Sequence, residues 1–169
     1  PMAGREFSGF DYAKDDLFEG ASFILTPVEE TDPSAVEEVR AFALSLGFGK
    51  AVVSDPEEHD RIIAATSQLA HIVSNAYIKS PTLRHQAGFS AGSYQDLTRV
   101  AKLSEEMWTS LFLLNREALL FEVETIIGHL SQYRDALAAG NAPELKELLR
   151  EGRILKEEDI ERTAVRNQK

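Results

Sequence analysis

Apolar residues in this chain change their period twice, and each change marks an element. The run Phe23-Ile24-Leu25 within Ser22 to Thr26 is short, apolar and closed by Pro27, which predicts a strand. Asp32 then precedes Pro33, a capping residue ahead of a proline at the first helical position. Val36, Val39, Ala43 and Leu44 line one stripe of the helix, and Gly47 supplies its stop. Lys50 to Ser54 is a second brief apolar run. A strand, a helix and a strand within about 35 residues predict a βαβ-like unit, whose parallel strands want helices on both faces.

Beyond Asp55 the pattern is helical. Asp55, Pro56 and Glu58 form a variant capping box, and Ile62, Ile63, Leu69, Ile72, Val73 and Tyr77 sustain a helix to about Ile78. After a loop over 80–93, a proline-free segment begins near Ser104 and runs to about Ala139. Within it Leu119, Val123, Ile126, Leu130, Tyr133 and Leu137 recur at heptad-like steps of 4, 3, 4, 3 and 4. A helix over 104–139 is roughly 50 Å long, more than a small domain buries against itself. It predicts a helical dimerisation domain, with a core helix packed inside one protomer as the alternative. Gly140, Asn141 and Pro143 punctuate its end and open a shorter helix to about Glu151, closed by Gly152. The remainder, 153–169, alternates charges with few apolar residues and is expected to lie on the surface or fray.

Composition narrows the function classes. The 169 residues, 43% hydrophobic and 27% charged, suit one good core or two small ones. No run approaches the roughly 20 apolar residues of a membrane span, and the N-terminus carries no basic-then-apolar targeting pattern. Zero cysteines exclude disulfides, thiolate metal sites and cysteine nucleophiles and suit a reducing, cytoplasmic setting. Four scattered histidines give no ligand-spaced cluster beyond His59-Asp60, so no metal is expected. A formal charge of −10 argues against general nucleic-acid binding. An anionic ligand therefore needs a local cationic pocket.

Candidates for such a pocket are few. Arg99 sits with Asp96, Thr98 and Lys102 just after a glycine-containing loop. Its guanidinium either grips a carboxylate through two parallel hydrogen bonds or pairs with Asp96 on a helix surface. Ser67 and His71 stand four apart on one helix face and can converge on a ligand; otherwise His71 is satisfied by a backbone carbonyl. In His59-Asp60 the acid can hold the imidazole in one tautomer, although neighbours on a helix point about 100° apart. Trp108 reads as a packing anchor between helix and pocket, and His85 and His129 fall in no motif. No G-x-G-x-x-G occurs; Gly47-Phe48-Gly49 follows a helix and reads as a C-cap loop rather than a phosphate cradle.

Four separated segments carry a family resemblance: PMAGREFSGF (Pro1 to Phe10) with DLFEGASFILTP (Asp16 to Pro27), then PEEHDRIIAATSQLAHIVS (Pro56 to Ser74) and GFSAGSYQDLTRVAKLSEEMWTSLFLLN (Gly88 to Asn115). In order and spacing over most of 1–137 they resemble prephenate dehydrogenases, which oxidise and decarboxylate prephenate, or arogenate in close relatives, in tyrosine biosynthesis. The first segment looks like the family's His-Pro-Met-Ala-Gly-x-Glu-x-x-Gly stretch without its leading histidine. The resemblance implies a mainly α chain with the trailing edge of a Rossmann-type nucleotide-binding domain over 1–55. A helical substrate-binding and dimerisation domain follows over 56–152, then a charged tail over 153–169.

By the same resemblance Arg99 holds a substrate carboxylate, Ser67, Gln68 and His71 line the substrate pocket, and Glu6 lies near its entrance, unless it is an exposed loop acid. Asp96, His59, Asp60 and Trp108 support them. Gln68 and Ala70 stand where the family often has His and Pro, which leaves prephenate against arogenate open. The implied reaction is hydride transfer from the hydroxyl-bearing ring carbon to NAD or NADP, with carbon dioxide lost as the ring aromatises. The histidine that acts as base is expected immediately before Pro1, so no catalytic residue is expected within this sequence. Nor is tight cofactor binding expected of this chain alone. The implied partners are prephenate or arogenate and a second copy, docked through the helix over 104–139. The alternative is a non-catalytic dimeric interaction module, or one that senses an aromatic ligand.

Overall fold

Two aspartate caps start the first two helices. In the computed structural model, which describes residues 1–4 and 9–166 except the side chains of residues 165 and 166, Asp32 Oδ1 accepts from the Ser34 amide at 2.8 Å and its hydroxyl at 2.9 Å. These bonds, the backbone one foremost, hold the Asp32 carboxyl below the usual carboxylate range. They open α1 (Pro33–Ser45). Asp55 accepts from the Glu58 amide at 2.7 Å and opens α2 (Pro56–Ile63), while the Glu58 carboxylate accepts from Ser54 Oγ at 2.6 Å. β1 (Ser22–Leu25) precedes the first cap and β2 (Lys50–Val53) lies between the two, and the strands pair in parallel from Ser22 opposite Lys50 to Leu25 opposite Val53. The βαβ unit read from the sequence is therefore present.

Its small core is aromatic. Phe48 is buried and stacks on Phe18 at 4.8 Å, while Phe23 meets it edge-on at 5.1 Å. Gly47, at φ +92°, ends α1 in the left-handed conformation that a Cβ disfavours. Gly49 is needed for space: a Cβ there would stand 2.8 Å from the Gly20 carbonyl oxygen, a backbone atom that cannot swing away. Gly49→Ala is expected to destabilise the unit by about 1–3 kcal/mol, the usual cost of overpacking, read as a fall in Tm.

The chain divides into two compact units, residues 1–122 and 123–169. In the first, the expected helix from Pro56 is widened in its middle: between α2 and α3 (Leu69–Tyr77), residues Ala64–Gln68 form a π-turn in which the Leu69 amide reaches back to the Ala64 carbonyl. Then α4 (Gly92–Thr98) leads into a 3-10 turn, Arg99–Ala101, which packs against α3. The expected continuous helix over 104–139 is corrected: α5 (Glu105–Leu114) ends at Asn115, at φ −111° and ψ 33°, and α6 (Arg116–Ala138) begins at the next residue. Propensity hid this break, because it is made by tertiary hydrogen bonds to the Asn115 side chain.

In the second unit Gly140, at φ +61°, turns the chain from α6 into α7 (Ala142–Arg166). Asn141 caps α7 by accepting from the Glu144 amide at 3.2 Å, and Tyr133 Oη donates to the Leu148 carbonyl at 3.2 Å. The expected stop at Gly152 is corrected too, while residues 153–164 lie on the surface, one of the two expectations for the tail, with Ile154 half-buried. Gly152 does not adopt positive φ, so it makes no C-cap, and α7 runs on through the pairs Arg153–Glu157 and Lys156–Asp159. Of the expected seam in this unit, Val123, Ile126 and Tyr133 are half-buried, whereas Leu130 and Leu137 are exposed. No described helix is long and apolar enough to cross a membrane.

Candidate functional site

A cleft of about 630 Å³ in the first unit gathers most of the residues that the sequence singled out. Its lining includes His59 from α2, Ser67 from the π-turn, His71 from α3, Arg99 and Lys102 from the 3-10 turn and its end, and Trp108 from α5. The N-terminal residues Pro1 to Gly4 line it as well, and the Met2 amide donates to the Ser22 carbonyl at 2.7 Å. Residues 59 and 108 are brought together only by the tertiary fold.

His71 satisfies both readings of it. Its Nδ1 lies 3.0 Å from the Ser67 carbonyl oxygen, and a carbonyl can only accept, so Nδ1 is the protonated nitrogen and Nε2 is the one turned to other partners. The ring stacks on Trp108 with centroids 3.7 Å apart and planes 30° apart, and Trp108 in turn leans on Phe112 at 5.4 Å. A half-buried Trp in that position is both packing anchor and cleft wall. His59 and Asp60, expected to diverge as helix neighbours, meet after all: Nδ1 to Oδ1 is 2.9 Å.

Arg99 and Lys102 are linked by the local geometry. A 3-10 turn repeats every three residues, so side chains at i and i+3 lie over one another, and both cations line the same cleft. Among the described residues, no Asp or Glu lines it, although the chain carries 28 acids against 18 Lys and Arg. A second depression, along the start of α7, is lined by Glu144, Glu147 and Glu151 and would repel an anion. The cleft is thus a cation-lined cavity with an aromatic wall.

Gln68 and Asp96 lie outside the lining. Gln68 is 5% exposed and absent from the lining; its amide points to α5, donating to the Leu111 carbonyl at 3.3 Å and accepting from Asn115 Nδ2 at 2.9 Å. Its neighbours Ser67 and His71 face the cleft, and the π-turn sends Gln68 the other way. Asp96 is exposed on α4, outside the lining, and Glu6 lies outside the described residues. His85 and His129 are exposed and not among the lining residues. Sequence reasoning passed over Asn115; its only local signal was a polar residue between apolar Leu114 and a charged helix start.

Residues 55–151 match the family model described as "Prephenate dehydrogenase, dimerization domain", and residues 1–53 match its nucleotide-binding domain. The chain belongs to the prephenate dehydrogenase family. It is 32% identical over 153 residues to a prephenate dehydrogenase of Bacillus subtilis, covering 86% of this chain and 40% of that protein. It is 31% identical over 161 residues to a cyclohexadienyl dehydrogenase of Zymomonas mobilis, covering 89% and 53%. Among solved structures, the prephenate dehydrogenase of A. aeolicus in complex with hydroxyphenyl propionate and NAD+ superposes with a TM-score of 0.79 at 30% identity, covering 94% of this chain and 57% of that one. The arogenate dehydrogenase of Synechocystis gives 0.75 at 29% identity, covering 94% and 59%. The chain thus spans about half the length of these relatives, and its mainly α fold, a Rossmann-type edge followed by helices, is the fold of this family.

Proposed function

We propose that this chain forms the substrate-holding and dimerisation portion of an enzyme that oxidatively decarboxylates prephenate to 4-hydroxyphenylpyruvate with NAD or NADP in tyrosine biosynthesis. The observation that carries the reading is the cleft: two cations and two imidazoles converge beside an indole, with no described carboxylate in the lining. Prephenate has two carboxylates and a ring. Arg99 pairs with one carboxylate in the fork geometry guanidinium favours, and Lys102, three residues on, lies within the same reach. The Ser67 hydroxyl and His71 Nε2 serve as hydrogen-bonding groups for the substrate's oxygens, and Trp108 sets the wall against which the ring lies.

The cofactor enters this reading only through the family. The described βαβ unit offers no glycine cradle for a pyrophosphate, since residues 26–32 between β1 and α1 contain no glycine. The chain's own residues are therefore assigned to the substrate alone. Dimerisation is assigned to the second unit, where apolar Ile127, Leu130 and Leu137 stand exposed on α6.

Calorimetry on the chain tests the reading, with prephenate, hydroxyphenyl propionate and tyrosine as ligands. Binding of prephenate, lost with Arg99, is the expected result. Silence toward prephenate overturns the reading, and binding of tyrosine alone would point instead to a ligand-sensing module built on the same fold.

A further inference from the structure

We infer that Asn115 is a positioning residue for the cleft: its side-chain amide fastens the π-turn that presents Ser67, and the backbone beside His59, to the helix that presents Trp108. Asn115 is a single non-helical residue between two helices, with neither proline nor glycine beside it to impose a turn. Leaving the helix aims its amide across the first unit. Nδ2 uses both of its hydrogens, donating to the Asp60 carbonyl at 2.8 Å and to Gln68 Oε1 at 2.9 Å.

Gln68 closes the circuit. Its Nε2 donates to the Leu111 carbonyl at 3.3 Å, the same carbonyl that accepts from the Asn115 backbone amide at 3.3 Å. Because Gln68 is 5% exposed, water cannot replace a lost partner, and a half-satisfied buried amide is worse than none. The circuit thus joins α2, the π-turn and α5 at one point. A π-turn is the least common helical turn, and here the bond between Gln68 and Asn115 ties its last residue to the end of α5.

What the circuit holds is the face opposite Gln68. Ser67, the residue before it, lines the cleft, and its carbonyl receives the Nδ1 proton of His71. Asp60, whose carbonyl Asn115 grips, holds His59 through its side chain. On the α5 side, Leu111 lines the cleft one turn beyond Trp108, which stacks on His71. Releasing the amide lets the π-turn relax toward regular helix, rotates the Ser67 carbonyl off Nδ1 and separates the imidazole from the indole. Asn115 touches no substrate; it acts through these groups, and its effect on substrate rests on the function proposed above.

The test uses Asn115→Asp, which keeps the shape but donates nothing, alongside Asn115→Ala and Gln68→Met. Nitrogen-resolved NMR of the histidine rings reads the His71 tautomer, emission of the chain's single tryptophan reads its stacking on His71, and calorimetry reads hydroxyphenyl propionate. In a variant whose circular dichroism stays native, the Nδ1–H signature of His71 is expected to give way to a mixture, with a shift in Trp108 emission. Ligand affinity falls roughly tenfold, the size of one buried hydrogen bond. Asn115→Ala combined with Gln68→Met is expected to do no more than either alone, since both cut the same circuit. A His71 spectrum and Trp108 emission unchanged in folded Asn115→Asp overturn the inference, and Gln68→Met decides it if both Asn115 variants unfold. Should the unaltered chain bind no hydroxyphenyl propionate, the proposed function falls, while the His71 tautomer still decides the role of Asn115.

Discussion

Arg99→Ala weakens prephenate binding by roughly 10- to 150-fold, which corresponds to the 1.5–3 kcal/mol typical of hydrogen bonds to a charged group. Three features of the site set that expectation. Arg99 stands on a tight 3-10 turn packed against α3, so its stem starts from a fixed backbone. It shares the lining with Lys102 and two histidines, so the cationic charge is concentrated on this part of the cleft. The opposite wall, Trp108 stacked on His71, leaves the ligand's carboxylates the cationic side. Arg99→Lys recovers little of the loss, because an ammonium cannot reproduce two parallel hydrogen bonds in one plane. Titration calorimetry in low and high salt reads both effects, since a charge pair in an open cleft is screened. Arg84, exposed on a separate 3-10 turn and outside the lining, is the control, and Arg84→Ala leaves affinity unchanged. An affinity within twofold of the unaltered chain for Arg99→Ala would sink the assignment.

Local signals in the sequence read well where one residue decides the backbone. Asp32 before Pro33, Asp55 before Pro56 and Gly47 after Leu46 each act within a few residues of themselves, and the βαβ unit followed from them. Signals failed where the deciding partner is remote. Asn115 breaks a helix through an amide that reaches residues 60 and 68, and nothing in the neighbouring residues announces it. The π-turn has no composition of its own, so nothing in the sequence announces that Gln68, which the resemblance assigns to the pocket, turns toward α5 while Ser67 and His71 line the cleft. Gly152 misled because a glycine ends a helix only by taking positive φ, and the charge pairs beyond it keep α7 going. Ser67, His71 and Arg99 came from resemblance rather than spacing; what periodicity could never supply is that residues 59, 71, 99 and 108 face one cavity. The pairing of Arg99 with Lys102 needed the 3-10 turn, which a sequence of Thr-Arg-Val-Ala-Lys does not distinguish from helix.

The second large effect concerns association. Leu130→Glu combined with Leu137→Glu is expected to convert a dimer of this chain to monomer, raising its dissociation constant by at least about 100-fold, since an uncompensated buried charge costs about 3–5 kcal/mol. The two leucines lie seven residues apart, close to two helical turns, so they share a face of α6, and Ile127 stands one turn before Leu130. They are 58%, 64% and 55% exposed, each leaving in water a side chain whose full burial contributes roughly 1.5–3 kcal/mol. Val123, seven residues before Leu130, starts the same row and is half-buried; Ile126 and Tyr133, also seven apart and half-buried, form the row beside it, and Tyr133 bonds α7 of its own protomer. The heptad-like seam is therefore split: the row of Tyr133 bonds α7, and the exposed Leu130 and Leu137 form the surface proposed above for a second copy, in keeping with the match of 55–151 to a family dimerisation domain. Tyr133→Phe separates the two roles, since it removes only the bond to Leu148 and is expected to cost about 1 kcal/mol of hairpin stability with no change in association. Sedimentation velocity at one protein concentration distinguishes the cases. A dimer that survives both glutamates would place the interface on another surface of the chain, while a monomeric Tyr133→Phe would show that hairpin and interface are one structure.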